Sequence, residues 1–173
     1  MDRMTPSNKE NRTSDLPPLE IFCSVAQDQQ DEALLRTLEQ HLSPLQRKRR
    51  IVLRHQGQII AGEEHRGVIE EWERHASLIL LLVSPAFLAS DACNQQTYLA
   101  MQRQKAGDAH VIPIILRPCD WSATSFADLQ CLPRNRKPIT RWNNRDQAWQ
   151  EVTEEVSIHQ ALHEQLPLDA VLP

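Results

Sequence analysis

A run of six apolar residues, Leu78 to Val83, contains no polar side chain and ends abruptly at Ser84-Pro85. A strand with one face in water would alternate apolar and polar residues. An unbroken run therefore predicts a strand buried on both faces, as in a parallel sheet covered by helices. Open α/β sheets bind their ligands at the carboxyl ends of their strands. The residues that follow Val83 are thus the first place to look for function.

The rest of the chain alternates strand patterns with helix patterns. Apolar segments predict strands at 19–25, 51–53, 78–83 and 111–116, and a weak fifth strand at 138–142. Helical spacing of apolar residues predicts helices at 31–43, 63–75, 92–105 and 146–166, the first of which ends before Pro44. Because Pro113 donates no hydrogen bond, its strand is expected near an edge of the sheet. The alternation predicts an α/β fold whose parallel sheet carries helices on both faces.

Length and charge limit the possible classes of protein. The 173 residues, 40% of them hydrophobic, suffice for one core and predict one domain at 16–166, with a disordered leader at 1–15 and a tail or linker start at 167–173. The net charge of -4 argues against nucleic-acid binding, which usually needs a basic surface. The basic run Arg47 to Arg50 is interpreted as a solvated turn, with a phosphate-binding patch as the alternative.

Neither a metal site nor a membrane segment is expected. The four cysteines show no Cys-x-x-Cys pairing, which argues against a zinc site or a disulfide framework; they are Cys23, Cys93, Cys119 and Cys131. His159 and His163 could share a metal, but without a third ligand we interpret them as a solvent-facing pair. No signal peptide and no apolar stretch of membrane-spanning length is found, so a cytoplasmic location is expected.

Acidic residues in two places are given structural interpretations. The first group is predicted to form a solvated helix face; it consists of Glu63, Glu64, Glu70, Glu71 and Glu73. Asp91 is interpreted as the cap of the helix that follows it, rather than as a catalytic acid.

Six segments, taken in order, carry a resemblance to a known family. They are Ile21-Phe22-Cys23-Ser24, Leu34-Leu35 through His41-Leu42, Ile60-Ala61-Gly62-Glu63-Glu64, Ile79-Leu80-Leu81-Leu82-Val83-Ser84-Pro85-Ala86-Phe87-Leu88-Ala89-Ser90-Asp91, Ala106-Gly107-Asp108-Ala109, and Val111-Ile112-Pro113-Ile114-Ile115-Leu116-Arg117-Pro118-Cys119-Asp120-Trp121. Together they closely resemble bacterial TIR (Toll/interleukin-1 receptor) domains, over residues 19 to about 155. The resemblance implies a flavodoxin-like three-layer sandwich with a five-stranded parallel sheet. It also implies a module that works by assembling with copies of itself, through a loop that contains Ile60, Ala61, Gly62 and Glu63.

Some members of that family cleave the bond between nicotinamide and ribose in NAD. Departure of nicotinamide builds positive charge on the sugar, and a glutamate in the helix after the Ser-Pro strand stabilises that charge. Here the matching helix, Cys93 to Met101, contains no acid. Alignment on the apolar pair Ala100-Met101 places Gln96 at the glutamate position, whereas counting forward from Cys93 places Thr97 there. A glutamine could still bind ribose hydroxyls, but it supplies no negative charge; a deliberately silenced enzyme would have the same sequence.

Further ligand contacts are expected at the strand ends and beside Gln96. The candidate substrate-binding residues are Ser24, Ser84, Phe87, Tyr98 and Trp121. Trp121 and Trp142 could stack on an adenine ring, with ordinary packing as the alternative. Ordinary packing is also expected for Trp72 and Trp149.

Two functions remain open at this point. The resemblance implies a signalling or effector module that acts on NAD as a glycohydrolase, impaired by the missing acid, with NAD as substrate or ligand and no tightly bound cofactor. The alternative is a non-catalytic adaptor that works by self-association and recruitment. The implied partners are other TIR domains and a sensor domain or protein, and antiphage defence is the implied setting. This domain is expected to bind neither nucleic acid nor membrane.

Overall fold

Residues 16–165 are described by a computed structural model of the protein, so the predicted leader at 1–15 and tail at 167–173 lie outside the described residues. The strands are β1 Leu19–Ser24, β2 Ile51–Arg54, β3 Leu78–Val83 and β4 His110–Ile115. All neighbouring strands pair in parallel, in the order β2-β1-β3-β4. Four of the five predicted strands are confirmed, and they form an α/β fold.

Five α-helices are found in the described part of the chain: α1 Gln29–Arg47, α2 His65–His75, α3 Pro85–Ala89, α4 Asp91–Ala106 and α5 Arg145–Gln165. Short 3-10 turns lie at Gln56–Gln58 and Ile139–Arg141. One apolar cluster joins α1 and α5 to one face of the sheet through residues such as Leu38 and Trp149. A second cluster joins α2, α3 and α4 to the other face. The helices therefore cover both faces of the sheet, as predicted.

The apolar run that forms β3 lies at the centre of the sheet. All of its six residues are buried, and the strand pairs with β1 on one side and β4 on the other. Leu80, for example, is level with Cys23 and with Ile112. Because neither face of this strand meets water, an unbroken apolar run is the only sequence that this position accepts at low cost.

The predicted fifth strand at 138–142 is wrong. Ile139–Arg141 forms a 3-10 turn, and the described sheet has four strands rather than five. The position beside β4 is taken instead by Leu132, which forms a single parallel bridge with Ile114. The ladder goes no further because the next donor, the Arg134 N–H, bonds to Glu151 at 2.8 Å.

The backbone of Pro113 faces the side of β4 that lies away from β3, where a missing N–H is tolerated. Its carbonyl accepts the hydrogen bond that Leu132 N–H donates at 2.8 Å, while its nitrogen makes no demand on a neighbouring strand. The expectation that this strand lies near the sheet edge is confirmed.

Helix α1 corrects a second expectation, since it passes through Pro44 and ends at Arg47. A proline in a helix leaves the carbonyl four residues earlier without its donor. Here that carbonyl belongs to Gln40, and the Ser43 hydroxyl donates to it at 2.7 Å. The side chain thus replaces the lost backbone bond, and the helix continues for another turn.

The caps of α4 explain where this helix begins and ends. Ser90 is its N-cap and accepts a hydrogen bond from Cys93 N–H at 3.2 Å, so the interpretation of Asp91 as the cap is wrong. Asp91 lies in the first turn, where its charge favours the positive end of the helix dipole. At the other end Gly107 has φ 79°, a left-handed conformation that glycine adopts without strain.

Candidate functional site

The carboxyl edge of the sheet brings β1 and α4 together at Gln96. The Ser24 hydroxyl at the end of β1 donates a hydrogen bond to Gln96 Oε1 at 2.6 Å. Gln96 is 9% exposed and lines a cleft of about 190 Å³ between α2 and α4. Its amide nitrogen has no hydrogen-bond partner among the described residues. One end of the Gln96 amide is therefore fixed to the carboxyl end of β1.

Thr97, the other candidate for the glutamate position, has a different setting. Its hydroxyl donates to the Cys93 carbonyl at 2.8 Å, within the same helix. The side chain is buried and is not part of the cleft lining. Of the two positions, the geometry favours Gln96 for contact with a ligand.

A buried ion pair ties α1 to the ends of β3 and β4. Asp31 is fully buried and accepts a hydrogen bond from Arg117 Nε at 2.9 Å. Its other oxygen accepts the Ser84 hydroxyl. Burying a carboxylate is costly unless a charge and hydrogen bonds compensate it, and here Arg117 and Ser84 supply both. This network fixes the relative positions of the loops at the carboxyl edge.

Ser84 and Phe87 therefore have structural roles in this geometry. Besides its bond to Asp31, Ser84 accepts the Phe87 N–H at 3.0 Å and caps α3. Phe87 is 1% exposed and packs edge-on against Phe126, with ring centroids 6.3 Å apart. Both side chains lie beneath the surface, so neither is presented to a ligand here.

The remaining candidate contacts lie away from Gln96. Tyr98 is 63% exposed, accepts a hydrogen bond from Gln102 at 2.8 Å, and is not part of the cleft lining. The Trp121 ring packs under the guanidinium of Arg136, 5.2 Å from the ring centroid. The structure brings Ser24 and Gln96 together and leaves Tyr98 and Trp121 outside their cleft.

Two acids from α2 line the same cleft as Gln96, namely Glu70 and Glu73. Glu70 is partly exposed and pairs with Arg66 at 3.1 Å. Glu73 is 3% exposed, which contradicts its prediction as part of a solvated face. Its position four residues after the buried Ile69 places it on the inner side of α2.

Burial leaves the Glu73 carboxyl mostly uncharged at neutral pH. Desolvation raises the pKa of this group to about 8, against a weaker opposing effect of Arg103. Arg103 makes no hydrogen bond to that carboxyl; it donates to the backbone carbonyls of Glu73 and Ala76 at the end of α2. Glu73 Oε1 is buried without a hydrogen-bond partner among the described residues. Such a group is costly to maintain, which sets it apart from ordinary packing.

A family model described as TIR domain matches residues 21–153, well over half of the chain. The chain belongs to the TIR domain family. The protein "Uncharacterized protein y4lF" of Sinorhizobium fredii (strain NBRC 101917 / NGR234) is 43% identical over 127 residues, which are 73% of this chain and 39% of that protein. The chain thus spans well under half the length of this curated relative.

The family resemblance implies that the TIR domain assembles with copies of itself through the loop between β2 and α2. Its first turn is capped by His55, which accepts the Gly57 N–H at 3.2 Å. Farther along the loop Ile60 is 67% exposed, and Gly62 adopts φ 94°. Ala61 and Glu63 are also exposed. The loop therefore exposes the apolar side chain of Ile60 to solvent, next to a left-handed turn that glycine adopts without strain at Gly62.

The cysteines of the TIR domain are not arranged for nucleophilic chemistry. All four are free thiols, and three of them are buried. Burial raises the pKa of Cys93, with only partial compensation by hydrogen bonds to Ser90 and Ser24. The pKa values of Cys119 and Cys131 are raised for the same reason. At neutral pH these groups remain thiols rather than thiolates.

No cluster of three metal-ligating side chains is found between residues 16 and 165. His159 packs against the ring of His110, with centroids 5.0 Å apart, and its pKa is lowered by burial and by that neighbour. His163 bonds to the Pro17 carbonyl at 3.1 Å. Within the same range, no helix has both the length and the apolar character needed to cross a membrane.

Sequence reasoning missed Asp31, Arg117 and Glu73 as members of this region. Arg117 lies inside the family motif but received no role. Asp31 was placed only at the start of a helix pattern. The burial of Glu73 could have been predicted from its spacing. It follows the apolar residue Ile69 by four positions and therefore lies on the apolar side of the helix.

Proposed function

We propose that this TIR domain binds NAD in the cleft beside Gln96 and, with glutamine at that position, hydrolyses it poorly. The observation that supports this proposal is the hydrogen bond from Ser24 to Gln96 Oε1, which holds a side chain of glutamate shape at the carboxyl edge of the sheet. Gln96 lines the cleft, and its amide nitrogen, which has no hydrogen-bond partner among residues 16–165, can donate to a ribose hydroxyl. Binding and positioning are retained, while the negative charge is absent.

The missing charge affects bond cleavage more than binding. In the transition state the sugar carries positive charge, which a neutral amide stabilises far less than a carboxylate does. Loss of a single group that stabilises developing charge typically costs roughly 100- to 1000-fold in rate. We therefore infer slow turnover by a domain that still recognises the substrate.

The acids of α2 do not replace the missing carboxylate. Glu70 is paired with Arg66 at the rim of the cleft. Glu73 keeps its proton at neutral pH, since its pKa is about 8. Neither group offers an unpaired negative charge beside Gln96.

The side-chain amide signals of glutamine residues provide a direct test of NAD binding in the cleft. Amide NH₂ resonances of ¹⁵N-labelled protein report contacts at Gln96, and loss of one pair of signals in Gln96→Glu assigns them. We expect titration with NAD to shift the Gln96 signals strongly and those of Gln102, on the same helix but outside this cleft, weakly. Equal small shifts at both positions, or none at millimolar NAD, would argue against an NAD site.

A non-catalytic adaptor is the second candidate function, and one observation favours it. Ile60 is exposed on the loop between β2 and α2, where burial against another protomer would remove apolar surface from water. Self-association of this kind requires no NAD chemistry. In either function the domain acts in signal transduction, with a sensor domain or protein as its proposed partner and antiphage defence as its proposed setting.

Light scattering at increasing concentration distinguishes the two candidates when it is combined with the NAD titration. An adaptor self-associates through the loop without binding NAD, and Ile60→Asp prevents that association. An NAD-binding domain shows the Gln96 shifts whether or not it assembles. The stability of Ile60→Asp should match that of the native protein, because the side chain is exposed.

A further inference from the structure

The cleft beside Gln96 continues past Glu73 into a larger groove between α2 and α4. The two cavities measure about 190 and 570 Å³. They share four lining residues, Glu70, Glu73, Gln95 and Leu99. Glu73 thus lies where the cleft at Gln96 opens into the groove, a location that a group extending from a ligand at Gln96 would reach.

Glu73 differs from Glu70 and Arg103, two charged residues that line the same groove and have hydrogen-bond partners. Glu70 pairs with Arg66, and Arg103 donates to backbone carbonyls. Glu73 Oε1 accepts no hydrogen bond from any residue between 16 and 165, although its side chain is almost fully buried. A buried polar atom without a partner is rare in folded proteins, and contact with a ligand or a water molecule is one of its ordinary explanations.

A neutral carboxylic acid matches a primary carboxamide group by group. The acid O–H donates to the amide carbonyl, and an amide N–H donates to the second carboxyl oxygen. The last torsion of a glutamate side chain is broad, so the plane of the carboxyl group can adjust to that of an amide in the cleft. The apolar sides of Ile69 and Leu99 line the same cleft and suit the flat faces of a heteroaromatic ring.

We propose that Glu73 recognises the carboxamide of the nicotinamide ring, through two hydrogen bonds made in the cleft between α2 and α4. This inference rests on the proposed NAD function and adds a specificity residue to it. Gln96 contacts the ribose, and Glu73 selects the base. The unpaired carboxyl is then a binding group that is satisfied only when the ligand is present.

Nicotinamide alone tests this role without any turnover of NAD. Its binding can be followed by ligand-observed NMR with native protein, Glu73→Met, Glu73→Gln and Glu70→Gln. Methionine fills the space but forms neither hydrogen bond. We therefore expect Glu73→Met to bind nicotinamide about ten-fold more weakly than the native protein does. Glutamine keeps one donor and one acceptor and should preserve binding. Glu70→Gln is the matched control in the same cleft and should bind like the native protein.

Two further comparisons address the hydrogen bonds themselves. The ligand 3-acetylpyridine lacks the amide N–H, and we expect it to bind more weakly than nicotinamide to the native protein but similarly to Glu73→Met. Ionisation of Glu73 removes its O–H, so nicotinamide binding should weaken above about pH 8 in the native protein and stay constant in Glu73→Gln. The charged or titratable groups that share the two cavities with Glu73 are His65, Arg66, Glu70, Arg74, Arg103 and Asp108.

Each outcome decides the proposal. Weakened binding in Glu73→Met, with retained binding in Glu73→Gln and Glu70→Gln, supports it. Equal binding by the native protein and Glu73→Met overturns it, as does absence of nicotinamide binding by the native protein at millimolar concentration. If NAD shifts the Gln96 signals while Glu73→Met binds nicotinamide normally, the NAD function stands and the role of Glu73 fails. If neither ligand binds, both fail.

Discussion

Replacement of Glu73 by glutamine should remove a pH-dependent loss of stability from this protein. The pKa of Glu73 is about 8 in the folded state and about 4.5 for an ordinary glutamate. Between these values the unfolded chain has lost the proton while the folded protein retains it. The folded state then binds more protons, so the free energy of unfolding falls as pH rises from about 4.5 to 8 and levels off above that.

The magnitude follows from the same values. The full difference in pKa corresponds to about 5 kcal/mol, since each unit is worth about 1.4 kcal/mol. Because Glu73 lines the adjoining groove, we expect water in that groove to solvate part of the charge and reduce the penalty. We therefore expect an actual loss of about 2 kcal/mol between about pH 5 and pH 8.

Urea unfolding followed by tryptophan fluorescence measures this effect, because Trp149 is fully buried. From pH 5 to pH 8 the native protein should lose about 2 kcal/mol of unfolding free energy more than Glu73→Gln does. The variant therefore becomes more stable relative to the native protein as the pH rises. Glu70→Gln, on the same helix but exposed and paired with Arg66, should show no such rise. Parallel pH profiles for Glu73→Gln and the native protein would refute the interpretation of Glu73 as a buried neutral acid.

Two other substitutions test the network at the carboxyl edge and the end of α4. Arg117→Ala leaves the Asp31 carboxylate buried without its charge partner, and should lower the free energy of unfolding by about 2 to 4 kcal/mol in urea titrations; a loss below about 1 kcal/mol would contradict the network. Gly107→Ala places a side chain at φ 79°, and should lower the melting temperature by several degrees, consistent with a cost of about 1 kcal/mol; an unchanged value would contradict the strain argument.

The strands and helices were largely predictable because their signals are local. The apolar run of β3, the spacing in α1 and the glycine after α4 each depend on only a few neighbouring residues. The fifth strand was not predictable from its own residues. Whether Leu132 pairs with β4 for one bridge or several depends on Glu151, which lies in a distant helix and takes the Arg134 donor. The predicted end of α1 before Pro44 was wrong because the Ser43 hydroxyl supplies the hydrogen bond to the Gln40 carbonyl that Pro44 cannot donate.

The candidate site was predictable only where a motif marked it. The family resemblance placed Gln96 at the glutamate position, but the Ser24 hydrogen bond joins residues 72 positions apart and has no local signal. The same holds for Asp31 and Arg117, whose pairing depends on how α1 and β4 meet at the sheet edge. Their place directly after β3 predicts ligand contacts for Ser84 and Phe87, but both side chains are buried. Their inward orientation depends on α3, a helix that the sequence pattern did not distinguish from α4.

Nicotinamide release by Gln96→Glu tests the central claim most directly. Native protein, Gln96→Glu and the neighbouring control Gln95→Glu are incubated with NAD at a high protein concentration that permits assembly, and nicotinamide is quantified over time. We expect Gln96→Glu to release nicotinamide at least about 100-fold faster than the native protein, with Gln95→Glu remaining at the native level. No release by Gln96→Glu, or equal gains from both substitutions, would contradict the claim that Gln96 occupies the position of a catalytic carboxylate.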